Sequence, residues 1–265
     1  MRCAQEQVPG GRLRLTHNLH VHSVVSNCAK PDMLIPDIAR EAERCALETV
    51  AIVDHIDEAE DPAREALVAA NRQIIEKLDT PVRVLAGTET TVVAPGRPAV
   101  SERTRRYLDI VLLAVNHYHL ANVQHPAERT PRGYAEHHLL MIRSVAVLPA
   151  VDVIVHPFVH GKLRDLDKQE ILAAYDRPAM RDALAAMADH GVRLELNPGH
   201  VRAAPDFFSE VVRMGREVGL RFTMGTDAHR LVELCYRDGA APLLESIGLT
   251  DSDIALPERA GRRAS

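Results

Sequence analysis

The sequence predicts an α/β fold, a single-domain barrel in which parallel strands and helices alternate along the chain. Apolar, β-branched runs alternate seven times with segments that have the apolar spacing of helices. The length of 265 residues is typical of one such barrel. No linker, low-complexity block or short internal repeat divides the chain. The pattern also allows an open doubly wound sheet, but the loop after the first strand, SVVSNCAKP, lacks the glycine-rich turn of a dinucleotide-binding sheet.

The elements can be placed in order along the chain. Strands are predicted in the runs LRLTHNLHVHS, ETVAIVDH, PVRVLAGTETTVV, RRYLDIVLLAVNHYH, VDVIVHPF, RLELNPG and LRFTMGTDAH. The helices between them include DPAREALVAANRQIIEKL, which has proline in its first turn, and RPAMRDALAAMADHG, which a glycine ends. We expect an N-terminal extension over residues 1–12, the barrel over 13–250 and a C-terminal tail over 251–265.

Composition narrows the class of protein. A net charge of −5 argues against broad binding to a nucleic-acid backbone. The four cysteines include no C-x-x-C pair and are widely spaced, which favours a reducing compartment over a disulfide framework. No apolar run approaches the roughly 18 residues of a membrane helix, and the N-terminus has no apolar signal core. We therefore expect a cytoplasmic protein that does not contact a membrane.

Ligand-type side chains stand at the ends of nearly all the predicted strands. His20 and His22 lie two residues apart and thus on one face of the first strand, where two imidazoles can hold one ion. The residues that end later strands are His55, Glu89, His117, His156, Asp227 and His229. An α/β barrel builds its active site at this edge. Such ligands suit zinc, manganese or iron, and eight of them exceed the needs of one ion. We expect two or three ions that share a carboxylate bridge.

The motifs NLHVHS, AIVDH, GTE, NHYH, VHP and TDAH, in this order, resemble those of the PHP (polymerase and histidinol phosphatase) superfamily over roughly residues 13–235. The resemblance implies a distorted, TIM-barrel-like (β/α)7 barrel with up to three metal ions, and hydrolysis of phosphate esters. It assigns three sets of ligands, which are His20, His22, Glu89 and Asp227 for one ion, Glu89, His117 and His156 for a second, and Cys28, His55 and His229 for a third.

Two positions depart from the family pattern. Cys28 stands where many members have histidine, and a thiolate is a good zinc ligand, although a small cysteine without a ligand role is the alternative. Asn18 stands where the first motif usually begins with aspartate, so we expect weaker support of a neighbouring ligand. Asp54 matches a family position and is expected to support ligands rather than bind metal. His119 competes with His117, and the motif favours His117.

Other polar residues follow the strands without belonging to a motif. Glu195 and Asn197 end the sixth strand and either line the site or cap the strand. Lys162 and Arg164 follow the fifth strand, where they either meet a substrate phosphate or are solvated. We count Lys162, Arg164 and Asn197 as candidate substrate-binding residues. The remaining histidines are expected on the surface or in the core; they are His17, His125, His137, His138, His160, His190 and His200.

Together with the resemblance, these residues predict a metal-dependent phosphoesterase that acts on a phosphomonoester or phosphodiester through a metal-activated water. Glu89, Asp227 and His229 are the candidate catalytic residues, and the candidate donors of the leaving-group proton are Asp227, His229 and a metal-bound water. Only 3% of residues are aromatic, so a small phosphoester is favoured over a nucleotide or oligonucleotide. The alternatives are an amidohydrolase-like hydrolase of a C–N or C–O bond and a non-catalytic metal-binding scaffold. A metal-free aldolase-like barrel would need a strand-end lysine, and none is obvious.

Overall fold

The computed structural model describes residues 13–160, 163 and 165–258, and its framework is one sheet of parallel strands. The strands are β1 (His17–Val21), β2 (Thr49–Ile56), β3 (Arg83–Ala94), β4 (Arg97–Pro98), β5 (Ile110–Ala114), β6 (Val153–Val155), β7 (Arg193–Leu196) and β8 (Phe222–Met224). The sheet order is β1-β2-β3-β5-β6-β7-β8, with all these neighbours parallel. The short strand β4 pairs antiparallel with β3 at the side of this path.

The sheet closes on itself between its last and first strands. The amide of His22 donates to the carbonyl of Ala228 at 3.0 Å, and the amide of Ala228 donates to the carbonyl of His20 at 3.2 Å. These bonds form a parallel bridge between Val21 and Ala228, just beyond β8. The predicted barrel is therefore confirmed, and the open doubly wound alternative is wrong. Closure also brings the first and last sequence motifs side by side.

Helices fill the connections between strands. They are α1 (Ile35–Arg44), α2 (Pro62–Ile75), α3 (Glu102–Tyr107), α4 (Pro131–Ala146), α5 (Lys168–Ala173), α6 (Arg177–Asp189), α7 (Pro198–Ala203), α8 (Pro205–Glu217) and α9 (Ala240–Ser246). Proline occupies the first turn of most of the longer helices, where its missing N–H costs no hydrogen bond. Side chains such as Asp61, Thr130 and Asp176 cap the backbone amides of these first turns.

Apolar side chains from the strands form the floor beneath the strand ends. A buried cluster made of strand residues includes Ala51, Val53, Leu85, Leu112 and Val155. Because side chains on a strand alternate between faces, Val53 shares the face of His55, and Leu85 shares the face of Glu89. Polar ligands at the rim therefore stand directly above a dry apolar interior. A second, larger cluster packs the helices against the outer face of the sheet.

A disulfide joins Cys45, at the end of α1, to Cys235, in the segment after β8. The widely spaced cysteines did not predict it, because the two residues are 190 positions apart and only barrel closure makes them neighbours. The reducing compartment that the cysteine spacing favoured stays a prediction. Within the described residues, no helix is long and apolar enough to cross a bilayer.

The predicted boundaries fall partly outside the described residues. The N-terminal extension, residues 1–12, and the last part of the tail, residues 259–265, are not described. The beginning of the predicted tail continues along the barrel, since the amide of Ala255 donates to the carbonyl of Phe222 at 2.9 Å and Ile254 pairs with that residue.

Substitution of Gly87 by alanine tests the close packing of the strands. A Cβ atom on Gly87 would lie 2.5 Å from Cγ2 of Ile110 and 2.7 Å from the Ile110 carbonyl oxygen. Because a backbone atom cannot move aside cheaply, we expect Gly87→Ala to lower the free energy of unfolding by about 3 kcal/mol, at the upper end for overpacking. Urea denaturation followed by circular dichroism measures it.

The matched control is Gly239→Ala, at a position that has a φ of +85° and no atom within 4 Å of the new Cβ. We expect this change to cost only the left-handed backbone conformation, about 1 kcal/mol. Equal losses in the two variants would mean that β3 does not pack against β5 as closely as the structure indicates.

Candidate metal centre

Three groups of side chains at the carboxyl ends of the strands can each hold a metal ion. Within each group the ligand atoms lie within 4.8 Å of one another. The groups are His20, His22, Glu89 and Asp227; Glu89, His117 and His156; and His22, His55 and His229. The first two match the sets that the family resemblance assigned. The third contains His22 in the place where we expected Cys28.

Glu89 lies at the centre of these groups and is 1% exposed. Its Oε1 is 2.6 Å from Nε2 of His156 and 3.5 Å from Nε2 of His117. Its Oε2 is 3.1 Å from Nδ1 of His55 and 3.3 Å from Nε2 of both His20 and His22. Each oxygen of one carboxylate thus faces a different set of imidazoles, the arrangement needed for a bridging ligand.

Buried polar atoms without a hydrogen-bond partner point to what the centre binds. Eight buried side-chain atoms of the described residues make no hydrogen bond, and three of them lie at the centre: His20 Nε2, His55 Nδ1 and Glu89 Oε2. Buried donors and acceptors without a partner are rare, because they lose their hydrogen bonds to water and gain none in the protein. All three belong to the groups described above, and imidazole nitrogen with carboxylate oxygen is a donor set that suits zinc and similar ions. The residues present therefore fit divalent metal ions.

The imidazoles are oriented from behind by second hydrogen bonds. In five of them, Nδ1 contacts another protein atom and leaves Nε2 for the centre. The pairs are His20 with Glu195 Oε1 at 2.7 Å, His22 with Ser26 Oγ at 3.2 Å, His117 with Thr91 Oγ1 at 2.7 Å, His156 with Asn116 Oδ1 at 2.9 Å, and His229 with the carbonyl of Asp227 at 2.8 Å. Such bonds fix the ring and its tautomer, as is usual for metal-binding histidines.

Glu195 is the supporting residue on which two strands depend. Its side chain is buried, and its Oε2 accepts a hydrogen bond from the backbone amide of His156 at 2.8 Å while Oε1 contacts His20. A Cβ atom at position 225 would collide with this carboxylate, which explains the glycine there. From its place in the sequence Glu195 could line the site or cap the strand, and in the structure it positions His20 and His156.

The charges of the centre reinforce one another. Burial alone would lower the pKa of His20, but the carboxylates of Glu195, Asp227 and Glu89 raise that pKa well above its usual value. Burial would likewise raise the pKa of Glu89, but the imidazoles of His55, His20 and His156 hold it well below its usual value. The centre therefore keeps its carboxylates ionised despite burial.

Two candidate ligands have a strained backbone. His156 has a φ of +32° and Asp227 a φ of +56°, both in the region that favours glycine. Such a conformation costs about 1–3 kcal/mol in a non-glycine residue, and it clusters at functional sites. In this conformation the His156 imidazole contacts Glu89 and the Asp227 carboxylate faces His20 and His22.

Asn18 and Asp54 are both buried supports. Asn18 Nδ2 donates to Thr226 Oγ1 at 2.7 Å and to the carbonyl of Leu234 at 3.0 Å, whereas Oδ1 accepts from the amides of His20 and Thr226. An aspartate could not donate, so asparagine suits this position in this chain. Asp54 accepts from Ser26 Oγ at 2.7 Å and thereby reaches His22 through that hydroxyl.

The other predicted site residues lie at different distances from the centre. Cys28 Sγ is 3.0 Å from His229 Nε2, but burial raises the pKa of the thiol to about 11, and its ligand role stays a prediction. Asn197 caps α7 and lines a cavity of about 610 Å³ beside Asp227 and His229. Lys162 and Arg164 lie outside the described residues.

Several supporting residues were not predicted from sequence. Ser26, Thr91 and Asn116 carry hydroxyl and amide groups that sequence patterns do not distinguish from ordinary loop or strand residues. Asp57 is also close, since Thr91 donates to its Oδ1 at 2.5 Å and its carboxylate lies 3.8 Å from His117 Nδ1. Asp57 follows β2 by one residue, so the strand-end rule that found His55 is the signal that could have found it.

Comparisons with known proteins support the enzyme class that the motifs predicted. No family model matches the chain. A protein named "Probable phosphatase" from Caldanaerobacter subterraneus subsp. tengcongensis is 25% identical over 245 residues, covering 91% of this chain and 86% of that protein. Another of that name from Aliivibrio fischeri is 24% identical over 241 residues, covering 89% of this chain and 86% of its own.

A solved structure shares the fold. The histidinol phosphate phosphatase of Lactococcus lactis, determined with zinc, L-histidinol and phosphate, superposes with a TM-score of 0.61 at 16% identity. The match covers 88% of this chain and 92% of that one. The shared barrel and the relatives named as phosphatases agree with the resemblance of the motifs to the PHP superfamily.

Replacement of Glu195 by glutamine tests its positioning role. The change keeps the shape but removes the charge behind His20, so we expect zinc affinity to fall roughly 10- to 100-fold, as for other residues that support a ligand. Titration of the zinc-loaded protein with a competing chelator measures the affinity. Glu43→Gln, on an exposed part of α1, is the matched control. Unchanged affinity in Glu195→Gln would contradict the role.

Proposed function

We propose that the chain is a metal-dependent phosphatase that hydrolyses a small phosphate ester at the centre around Glu89. The observation that carries the proposal is the convergence of three ligand groups on this one buried carboxylate. The similarity to relatives named as phosphatases supports the same reaction class.

We assign the ligands of each ion from the three groups of neighbouring side chains described above. His20, His22, Glu89 and Asp227 would hold one ion, and Glu89, His117 and His156 a second. His55 and His229 would hold a third, together with His22 or Cys28. Bound ions would offset the charge of the phosphoryl oxygens and activate water as the nucleophile. Zinc fits the imidazole-rich donor set best, with manganese and iron as the other candidates.

We assign contact with the leaving group to residues at the edge of the centre. Asp227 and His229 both line the cavity of about 610 Å³, and their side chains are 32% and 27% exposed. A leaving group in that cavity would contact these two residues rather than the fully buried His20 or His22. Although burial opposes it, the imidazoles of His20 and His22 hold the pKa of Asp227 well below its usual value, so this carboxylate stays ionised. We therefore assign proton delivery to the leaving oxygen to His229 or to a water bound at the centre.

The substrate is expected to be a small molecule. The cavity beside Asp227 has room for a leaving group of modest size. The histidinol phosphate phosphatase of similar fold makes L-histidinol phosphate a reasonable test compound, alongside a generic aryl phosphate.

The test is a hydrolysis assay on purified protein whose metal content has been measured by elemental analysis. With 4-nitrophenyl phosphate and L-histidinol phosphate as substrates, we expect turnover that a chelator abolishes and added zinc or manganese restores. Glu89→Gln should lower kcat/KM by more than the roughly 100-fold expected for loss of a supporting residue, because it removes the shared ligand itself. Glu43→Gln should keep full activity.

Full activity in Glu89→Gln, or activity that survives chelation, would refute the proposal. Turnover of amide or lactone substrates without turnover of phosphate esters would favour the amidohydrolase-like alternative. Bound metal without turnover of any substrate would favour a scaffold.

A further inference from the structure

Two cavities adjoin the metal centre, and Cys28 lines both of them. We call the first, of about 610 Å³, the basic cavity; its wall includes Asp227, His229, Lys30, Arg202, Arg230 and Arg237. We call the second, of about 390 Å³, the acidic cavity; its wall includes His55, His117, Asp57, Glu58, Asp61 and Arg64. Candidate ligands therefore face a cavity on each side of the centre.

The two cavities have opposite charge. In the basic cavity four cationic side chains stand against the carboxylates of Asp227 and Glu233. In the acidic cavity the carboxylates of Asp57, Glu58 and Asp61 stand against Arg64 alone, which donates to the carbonyls of His55 and Val25 at 2.7 Å each. An anionic part of a substrate would therefore be attracted to one side of the centre and repelled from the other.

The cations of the basic cavity have no anionic partner in the described part of the chain. Elsewhere, Arg177 and Arg216 pair with Glu210 and Asp253, but no carboxylate of residues 13–160, 163 and 165–258 lies within ion-pair distance of Lys30, Arg202, Arg230 or Arg237. The two carboxylates of the wall are already engaged. Asp227 Oδ1 faces His20 and His22, and Glu233 Oε2 accepts from the backbone amide of His229 at 3.0 Å.

The segments that carry these cations are fixed to the barrel. Arg202 lies on α7, whose first turn Asn197 caps. The backbone amide of Lys30 donates to the carbonyl of His229 at 2.9 Å, next to Arg230. Arg237 follows Cys235 by two residues, and the disulfide ties that segment to α1. The backbone that carries these exposed cations is thus attached to the barrel beside the centre.

We propose that the basic cavity binds a second acidic group of the substrate, a carboxylate or a phosphate, in addition to the phosphoryl group held at the metal centre. This inference rests on the proposed function and names the substrate class: a phosphate ester whose leaving group is itself an anion. Guanidinium groups suit this role because their paired N–H donors match the oxygens of carboxylates and phosphates.

The first test compares substrates that differ only in the second group. 3-Phosphoglycerate carries a carboxylate where glycerol 3-phosphate carries a hydroxymethyl group, and propane-1,3-diol bisphosphate carries a phosphate where 3-hydroxypropyl phosphate carries a hydroxyl. We expect kcat/KM to be higher for the acidic member of at least one pair by about 10-fold or more, as for a charge-assisted hydrogen bond. The pair with the larger ratio identifies the acid.

Substitutions in the basic cavity test whether its arginines cause the preference for acidic substrates. Arg202→Gln, Arg230→Gln and Arg237→Gln should each reduce the ratio of kcat/KM values for the acidic over the neutral substrate, by about 5- to 10-fold in the strongest case. Arg143→Gln is the matched control. Arg143 is exposed on α4, outside the basic cavity, and its substitution changes the net charge by the same amount. An unchanged ratio in all three cavity variants would overturn the assignment.

A binding measurement separates this inference from the proposed function. Calorimetry on the zinc-loaded protein compares 2-carboxyethylphosphonate with 3-hydroxypropylphosphonate, which cannot be hydrolysed. At least 10-fold tighter binding of the carboxylate, without turnover of any phosphate ester, would keep the basic cavity and refute the phosphatase. Equal binding and equal kcat/KM within both substrate pairs would keep the phosphatase and overturn the second-anion site.

Discussion

The structure depends on the burial of one carboxylate, that of Glu89. A buried ionised group is strongly unfavourable unless opposite charges or hydrogen bonds surround it. Here five imidazoles from the ends of four strands or their following loops surround both oxygens, so the charge is compensated only when these strands are assembled side by side. The same residues leave inward-facing nitrogen and oxygen atoms unpartnered, which indicates divalent ions as their natural complement. Fold and site therefore share one electrostatic requirement.

A second layer of polar residues turns this cluster into a site of defined geometry. Glu195 bonds His20 through one oxygen and the backbone of His156 through the other, and thus couples three strand ends with a single side chain. His156 and Asp227 have a strained, left-handed backbone, which the rest of the fold stabilises and which orients these side chains. The two flanking cavities differ in charge, so an anionic substrate is favoured in one orientation. The basic cavity is the side suited to an acidic leaving group.

Much of this was readable from the sequence, for a physical reason. In a parallel barrel the carboxyl ends of all strands meet at one rim. A ligand-type residue directly after an apolar run can therefore be assigned to that rim from the sequence alone. His20, Glu89 and Asp227 were found in this way. Supporting residues such as Ser26 and Asn116 carry no periodic signal, because their role depends on a partner distant in sequence. The Cys45–Cys235 disulfide and the basic cavity were missed for the same reason, since each is assembled from separated segments.

The bridge between Val21 and Ala228 has a consequence for biosynthesis. A nascent chain exposes its first histidine motif early, but the segment that closes the sheet over this motif is made some 200 residues later, since the partners of the bridge stand at positions 21 and 228. Until then Glu89 lacks Asp227 and His229 nearby, and any ion captured by the emerging imidazoles has an incomplete shell. Complete coordination of an ion would therefore have to await synthesis of the segment around Ala228.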